Sequence, residues 1–261
     1  MGDPATVSSP CLKTLIVDAE AIESVYEPTS WYKQGTLLED FFVSRPDAIV
    51  LRSYSGGKNT FVMSEYTEEE SLDIYEWHKV YGALFNLEET ANEQFDAAES
   101  RFNCNSDNAA YIAEQRRLDG IEETPPVVVW ASWSNYSEPN YWDVARCDEK
   151  NLYYCEFAQR CGATLLHSNE GTIANPWGVE DYHMTNEEFF EFAKDADHWI
   201  YTAGNFDYVY NKFGDDLDKF TSVKNKEVYD TQGSGSNAWF EQRIAEFGKW
   251  KRMFVFYCLF F

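Results

Sequence analysis

An amphipathic run that begins at Thr67 sets the architecture. Leu72, Ile74, Tyr75, Val80, Leu84 and Phe85 recur at intervals of three to four residues, and the pattern continues through Ala91, Phe95 and Ala98 to about Arg101. Thr67-Glu68-Glu69-Glu70 has the form of a capping box, with carboxylates at the positive end of the helix dipole. The spacing predicts one helix of about 35 residues, roughly threefold the globular mean and about 50 Å long, more than one small lobe. Such a helix is expected to act as a strut. Residues 108–119 continue helical, and Gly120 with Pro125 and Pro126 ends the run.

On either side of this run, apolar stretches alternate with helical ones. Residues 13–17, 47–52 and 60–63 read as strands, and residues 30–42 as a helix with Leu37, Leu38, Phe41 and Phe42 on one side. After the prolines, PPVVVWAS is expected to be a buried strand opening a second lobe. A proline-, aromatic- and Asn-rich stretch from Ser132 to Asp143 follows, then a helix from Tyr153 to Cys161, a strand from Ala163 to Leu166 and a loop through Gly178. Thr185-Asn186-Glu187-Glu188 is a second capping box, opening the helix EEFFEFAKDA. A strand at His198–Tyr201, a helix over 208–220, a strand at Val223–Tyr229 and a helix over 238–245 complete the order. The alternation implies an α/β chain with a largely parallel sheet. The expected fold is two three-layer α/β lobes joined by a long rigid helix. Residues 1–66 form an incomplete first lobe, 67–122 the lobe-linking segment, 123–247 the second lobe and 248–261 an atypical apolar tail. The apolar residues of that tail cover about half the length that spans a bilayer, so no membrane span is expected.

With 45 acidic against 21 basic side chains the net charge is −24, which argues against nucleic acid and anionic membrane surfaces as partners. Nine Trp, seventeen Tyr and nineteen Phe exceed the ordinary needs of a core this size, and Tyr and Trp also line binding clefts. Met1 to Leu12 contains no apolar signal-peptide core, whereas Cys147, Cys155 and Cys161 fall within fifteen residues, a density typical of oxidising compartments. Cys147 and Cys155 flank a short connection and are expected to form a disulfide. Asn135-Tyr136-Ser137 is a glycosylation sequon. No nucleophile elbow, P-loop or H-E-x-x-H motif is present, and Gly233-Ser234-Gly235 lacks the third glycine of a dinucleotide fingerprint. His167, Glu170 and His183 share a stretch of chain, but histidines satisfied by ordinary hydrogen bonds are the commoner case, so neither metal nor cofactor is expected.

The segment Glu65–Phe102 resembles the lobe-linking helix of class III periplasmic solute-binding proteins, the fold of siderophore and cobalamin binders, with the eukaryotic branch most similar. YWDVARC (Tyr141–Cys147), YYCEFAQRCGATLLHSNEG (Tyr153–Gly171), MTNEEFFEFAKDADHWIYTAGNF (Met184–Phe206) and KNKEVYDTQGSGSNAWFEQR (Lys224–Arg243) resemble its second-lobe motifs. The ends depart from the family pattern: the chain opens in what resembles the middle of the first lobe and closes on KWKRMFVFYCLFF, as a truncated or misread gene model would. The resemblance implies a secreted, cell-surface or lumenal protein that binds a small solute between two lobes and engages a membrane transporter or receptor. A metal chelate such as an iron siderophore is the ligand class it suggests. A break of the Thr67 helix into a hairpin near Asn86 would remove this reading.

Ligands of open α/β sheets sit beyond the carboxyl ends of the strands. The residues expected there are Trp31, Arg52, Tyr54 and Tyr66 in the first lobe and Trp133, Asn169 and Asn205 in the second. Arg52 could pair with an anionic ligand group or with a neighbouring carboxylate, and the salt bridge is the favoured reading. Trp133 is expected to stack on the ligand, so that Trp133→Ala weakens binding about tenfold at nearly unchanged melting temperature. The rival readings are an acidic secreted polysaccharide hydrolase, which needs a carboxylate pair at catalytic separation, and a non-functional fragment that retains the fold.

Overall fold

The computed structural model describes residues 50–52, 60–120, 124–135, 138–147, 152–168, 170–174 and 182–231. The chain divides into two units, Met1–Thr67 and Glu68–Phe261. In the first, β1 (Val50–Arg52) and β2 (Thr60–Val62) pair in parallel, with Val50 opposite Thr60 and Arg52 opposite Val62. The expected strand at 13–17 and the helices at 30–42 and 238–245 lie outside the described residues, as does the apolar tail.

The expected capping box at Thr67 does not form. Thr67 closes a 3-10 turn (Glu65–Thr67), and its hydroxyl donates backwards to the Ser64 carbonyl at 2.7 Å. Helix α1 (Ser71–Glu76) begins after Glu70, whose side chain makes no capping bond, and the Ser71 N–H donates instead to Glu156 Oε2 at 3.1 Å.

The single helix expected from Thr67 is likewise corrected. Helix α2 (His78–Phe85) stops at Asn86, which adopts the left-handed conformation (φ 57°, ψ 43°), and α3 (Glu88–Leu118) starts two residues later. The Leu87 N–H returns to the Gly82 carbonyl at 2.7 Å and α2 folds back on α3. A ring nitrogen of His78 lies 2.7 Å from the Ala91 carbonyl, and the Lys79 ammonium sits 3.7 Å above the Phe95 ring. Asparagine tolerates this conformation better than most residues, and glycine at 82 lets the two helix backbones close. The apolar period is the same on both arms, so it carried no sign of the reversal. The inference from one uninterrupted helix to a solute-binding architecture falls with that helix. The long element is α3 itself, 31 residues and about 46 Å at the usual rise. Its buried residues Ala91, Phe95, Ala98, Phe102 and Ala109 follow a four-three spacing along one stripe.

The sheet of the second unit is organised by β3 (Val127–Ser134). Strands β5 (Thr164–Leu166) and β8 (His198–Tyr201) pair with its first half, both in parallel, and β9 (Val228–Asp230) extends the sheet beyond β8. Strand β4 (Tyr141–Val144) pairs antiparallel with its second half, Ala131 to Ser134. The Pro126 and Trp130 carbonyls accept from Thr164 and Ala145, so β5 and β4 occupy successive halves of one edge of β3. A short antiparallel pair, β6 (Ile173–Ala174) and β7 (Tyr182–His183), adjoins this sheet through a bridge between Trp142 of β4 and Met184 just after β7.

Both faces of β3 are apolar. Val128 and Trp130 join a core with Phe95, Ala98 and Phe102 of α3 and Cys155, Phe157 and Ala158 of α4 (Leu152–Arg160). Val129, Ala131 and Trp133 join a second core with α5 (Asn186–Ala193), α6 (Phe206–Leu217), Trp142 and Trp199. The result is the three-layer arrangement expected of the second lobe. Trp142 stacks on Phe189 with ring centroids 4.0 Å apart, and Phe189 also meets Trp199 and Phe220, so much of the surplus of aromatics is absorbed here.

The capping box at Thr185 is complete: the Glu188 N–H donates to Thr185 Oγ1 at 3.2 Å and the Thr185 N–H to Glu188 Oε2 at 2.8 Å. Residues 223–225, expected to open a strand, belong instead to the short helix α7 (Thr221–Asn225), and the strand is confined to β9. Lys226 in the left-handed conformation (φ 62°) makes the change of direction between them. Cys147, just beyond β4, is disulfide-bonded to Cys155 of α4 with Cα atoms 5.6 Å apart. Closing so short a loop contributes about 2–3 kcal/mol on the chain-entropy account. Cys161 is also disulfide-bonded, and Cys104 is a free, exposed thiol.

A Cβ placed on Gly82 would stand 2.5 Å from the Ala91 Cβ. Gly82→Ala is therefore expected to lower stability by about 1–3 kcal/mol despite the better helix propensity of alanine. Gly82→Ala with Ala91→Gly, which moves the methyl across the contact, should recover part of the loss in urea unfolding. A single variant as stable as the parent would show that the hairpin is not closed as described.

Candidate functional site

Strand order about β3 defines where a site can form. The chain leaves β3 and returns on one side as β5, then crosses to the other side as β8 and continues outward to β9. The carboxyl ends of β3 and β8 are thus a topological switch point, the place where open α/β sheets leave a crevice.

The side chains at this point are tied together. The Trp133 N–H donates to the Tyr201 hydroxyl at 3.3 Å, that hydroxyl donates to Asn205 Oδ1 at 2.6 Å, and Asn205 Nδ2 donates to the Trp133 carbonyl at 3.3 Å. Thr202 and Ser132 join the same two strand ends through their hydroxyls at 3.3 Å. Asn205 stands at the N-cap of α6 but makes no side-chain capping bond, its amide being spent on the strand ends. Burial pushes the Tyr201 phenol up to about 12, the Trp133 N–H pulling weakly the other way. The group is a neutral hydrogen-bond relay at every physiological pH.

Of the residues expected to contact ligand, the structure brings Trp133 and Asn205 into direct contact. Arg52 ends β1 and Tyr66 lies in the 3-10 turn, both in the first unit. Trp31, Tyr54 and Asn169 lie outside the described residues. The expected open stacking face of Trp133 is corrected: the residue is 2% exposed. Its indole is enclosed by Tyr208 at 5.7 Å and Phe213 at 5.8 Å between centroids, with the Lys212 ammonium 4.5 Å from its ring centre. An alternating apolar strand places Trp133 on the same face as Val129 and Ala131, which the α5 and α6 layer covers. Sequence reading missed Tyr201, Lys212 and Tyr208. The polar end of the HWIY strand was a usable signal for the first, whereas nothing in the pattern of α6 singles out the other two.

The remaining candidates take ordinary roles. His183 is buried and stacks on Tyr141 at 4.0 Å, with Nδ1 3.7 Å from Asp143 Oδ1. His167 and Glu170 are exposed, and no group of three His, Cys, Asp or Glu among the described residues is placed to hold a metal ion. Asn135 of the sequon is exposed directly after β3. No helix among the described residues is long and apolar enough to cross a membrane.

Two solved structures share the fold over almost the whole chain. A periplasmic heme-binding protein from Pseudomonas aeruginosa matches with a TM-score of 0.54 at 13% identity, over 95% of this chain and 82% of that one. The periplasmic vitamin B12-binding protein BtuF of Vibrio cholerae matches with a TM-score of 0.52 at 12% identity, over 94% of this chain and 86% of that one. An ABC-type Fe3+-hydroxamate transport protein from Saccharomonospora viridis gives a TM-score of 0.48 at 16% identity, over 74% of this chain and 63% of that one. Neither a protein-family model nor a curated protein matches the sequence. At these identities the likeness to the first two establishes the fold alone: an α/β chain built like the periplasmic heme- and vitamin B12-binding proteins.

Two outcomes follow from the geometry at the switch point. Trp133→Ala should destabilise the protein by about 3–5 kcal/mol, as expected for removing a large enclosed aromatic, and differential scanning calorimetry should show the fall in melting temperature. A melting temperature unchanged by that substitution would restore Trp133 as an open platform. Because the folded-state value of Tyr201 is raised above its unfolded one, its contribution is complete below about pH 10 and is lost as pH rises toward 12. The stability gap between the parent protein and Tyr201→Phe should therefore shrink over that interval. A constant gap would place the phenol in contact with water.

Proposed function

We propose that this protein binds a small solute at the carboxyl ends of its strands and serves its uptake or sequestration, without chemistry on the ligand. The observation that carries the reading is the switch point between β3 and β8, where Trp133, Tyr201 and Asn205 form a closed hydrogen-bonded set. It is supported by the fold shared with proteins described as binding heme and vitamin B12. A metal chelate such as an iron siderophore is the ligand class, because the chelator itself fills the metal's coordination positions and the protein need supply only shape and polar contacts. Trp31, Arg52, Tyr54 and Tyr66 of the first unit, with Asn169 and Asn205 of the second, are the proposed contacts, and Trp133 holds Asn205 in place. The disulfide between Cys147 and Cys155 fits an oxidising, extracytoplasmic setting in which a membrane transporter or receptor would receive the solute.

Native mass spectrometry of protein recovered from its source is expected to show a mass excess that dissociates as an intact small molecule. Calorimetric titration of the emptied protein with hemin, cyanocobalamin and a ferric trihydroxamate is expected to give saturable one-to-one binding with at least one of them. No co-purified molecule and no saturation with any of the three, together with release of reducing sugar from polysaccharide, would replace this reading with a hydrolase.

A further inference from the structure

Lys212 sits where a chain of this charge should not need to put it. The protein carries a net charge of −24, and Asp215 and Asp216 lie three and four residues further along α6, the spacing at which helical ion pairs form. Asp216 is taken by Lys219 at 2.6 Å, and Lys212 makes no ion pair among the described residues. Its ammonium turns back instead, 4.5 Å from the Trp133 ring centre, 5.2 Å from Phe213 and 5.8 Å from Tyr208. Helical side chains lean toward the N-terminus, so a lysine at 212 reaches the turn that holds Tyr208 and, beyond it, the end of β3. Aromatic faces hold an ammonium without neutralising it, and its three donors are not matched by any acceptor there.

A second donor lies in the same cluster. Trp133 Nε1–H is buried and finds no acceptor among the described residues, whereas the comparable nitrogens of Trp142 and Trp199 donate to Asn186 Oδ1 at 3.0 Å and to the Ala131 carbonyl at 3.1 Å. Buried donors of this kind cost stability and are uncommon. Tyr208, 53% exposed, offers an open ring beside them. The cluster therefore presents an exposed cation with no ion-pair partner among the described residues, an unmatched indole donor and an aromatic face, with no carboxylate of its own. Its complement is a solute that supplies acceptors and negative charge on a flat or apolar body.

We propose that Lys212, with Trp133 and Tyr208, forms an anion-selecting subsite that recognises a carboxylate or comparable oxyanion on the bound solute. This deepens the solute-binding reading and rests on it. In the ligand-free state Lys212 lies across the indole. On binding, the ammonium swings to the anion, the Trp133 donor gains an acceptor and the solute body takes the lysine's place against the Tyr208 ring. No covalent step is involved.

A matched charge series tests it. Ferrioxamine B carries one ferric trihydroxamate core with a free terminal amine; acetylation of that amine makes it neutral and succinylation makes it anionic. Binding of all three to the full chain, read by isothermal titration calorimetry, is expected to favour the succinylated form over the free amine by about tenfold or more, the scale of one charge-assisted contact. In Lys212→Met, which keeps an apolar cover over Trp133, the three affinities should converge, and Lys212→Arg should retain the preference. Equal affinities in the parent protein, or a preference that survives in Lys212→Met, would overturn the subsite while leaving solute binding intact. Binding of none of the three would overturn the subsite as argued for a ferric chelate, whereas solute binding itself falls only if hemin and cyanocobalamin also fail to bind.

Discussion

One strand carries the second unit. β3 is apolar on both faces, so each of its residues from Val128 to Ala131 must be covered from above or below, and helices α3 and α4 supply one cover while α5 and α6 supply the other. Burial of a strand on two faces demands a continuous apolar run rather than strict alternation. Everything else in the unit is placed by that demand. The αα-hairpin brings Phe95 and Phe102 onto Trp130, and the disulfide holds the end of β4 against α4 on the same side. On the other face, Trp142, Phe189, Trp199 and Phe220 form a continuous aromatic layer.

Charge does little of the holding. The exposed pairs Glu114–Arg117, Glu191–Lys194 and Asp216–Lys219 are local contacts, and solvent screens pairs of this kind so that they add little to stability. The cations that do bridge elements lie on rings: Lys79 on Phe95, and Arg160 on Phe102 at 4.2 Å while it also meets Glu156 at 3.0 Å. A surface this acidic supports solubility and repels polyanions. The fold itself is held by apolar packing and by a few hydrogen bonds at strand ends.

Most elements of the second unit were legible in the sequence, and the failures have specific causes. The capping box at Thr185 formed with a Glu188 carboxylate that also accepts from the Thr172 N–H at 3.4 Å, whereas Thr67 found the Ser64 carbonyl and the Ser71 N–H found Glu156 from another helix. A long-range partner outcompeted a local motif. The reversal at Asn86 was hidden because both arms of the hairpin keep one apolar period, and the informative pair, Gly82 and Ala91, is recognisable only once the arms are known to meet. At the site, position at a strand end was correct for Trp133 and Asn205, but it does not say which way a ring points. Val129, Ala131 and Trp133 share a face, and that face is the enclosed one. Asn205, expected to contact ligand, is a brace between strands.

The division of one β3 edge between β4 and β5, with β8 on the other edge, has a consequence during synthesis. The second half of the strand can pair with β4 as soon as Tyr141–Val144 emerges. Its first half waits for Thr164–Leu166 on one side and for His198–Ile200 on the other, so that a Val-Val-Val-Trp segment has both backbone edges open while roughly 35 more residues are added and one edge open until roughly 70 have been added. At translation rates of about 5–20 residues per second that interval is several seconds, long beside the microseconds of hairpin closure. The nascent chain therefore carries its most aggregation-prone segment with at least one edge open through that window, and the yield of native protein depends on how well Val127–Trp130 is shielded until β8 arrives.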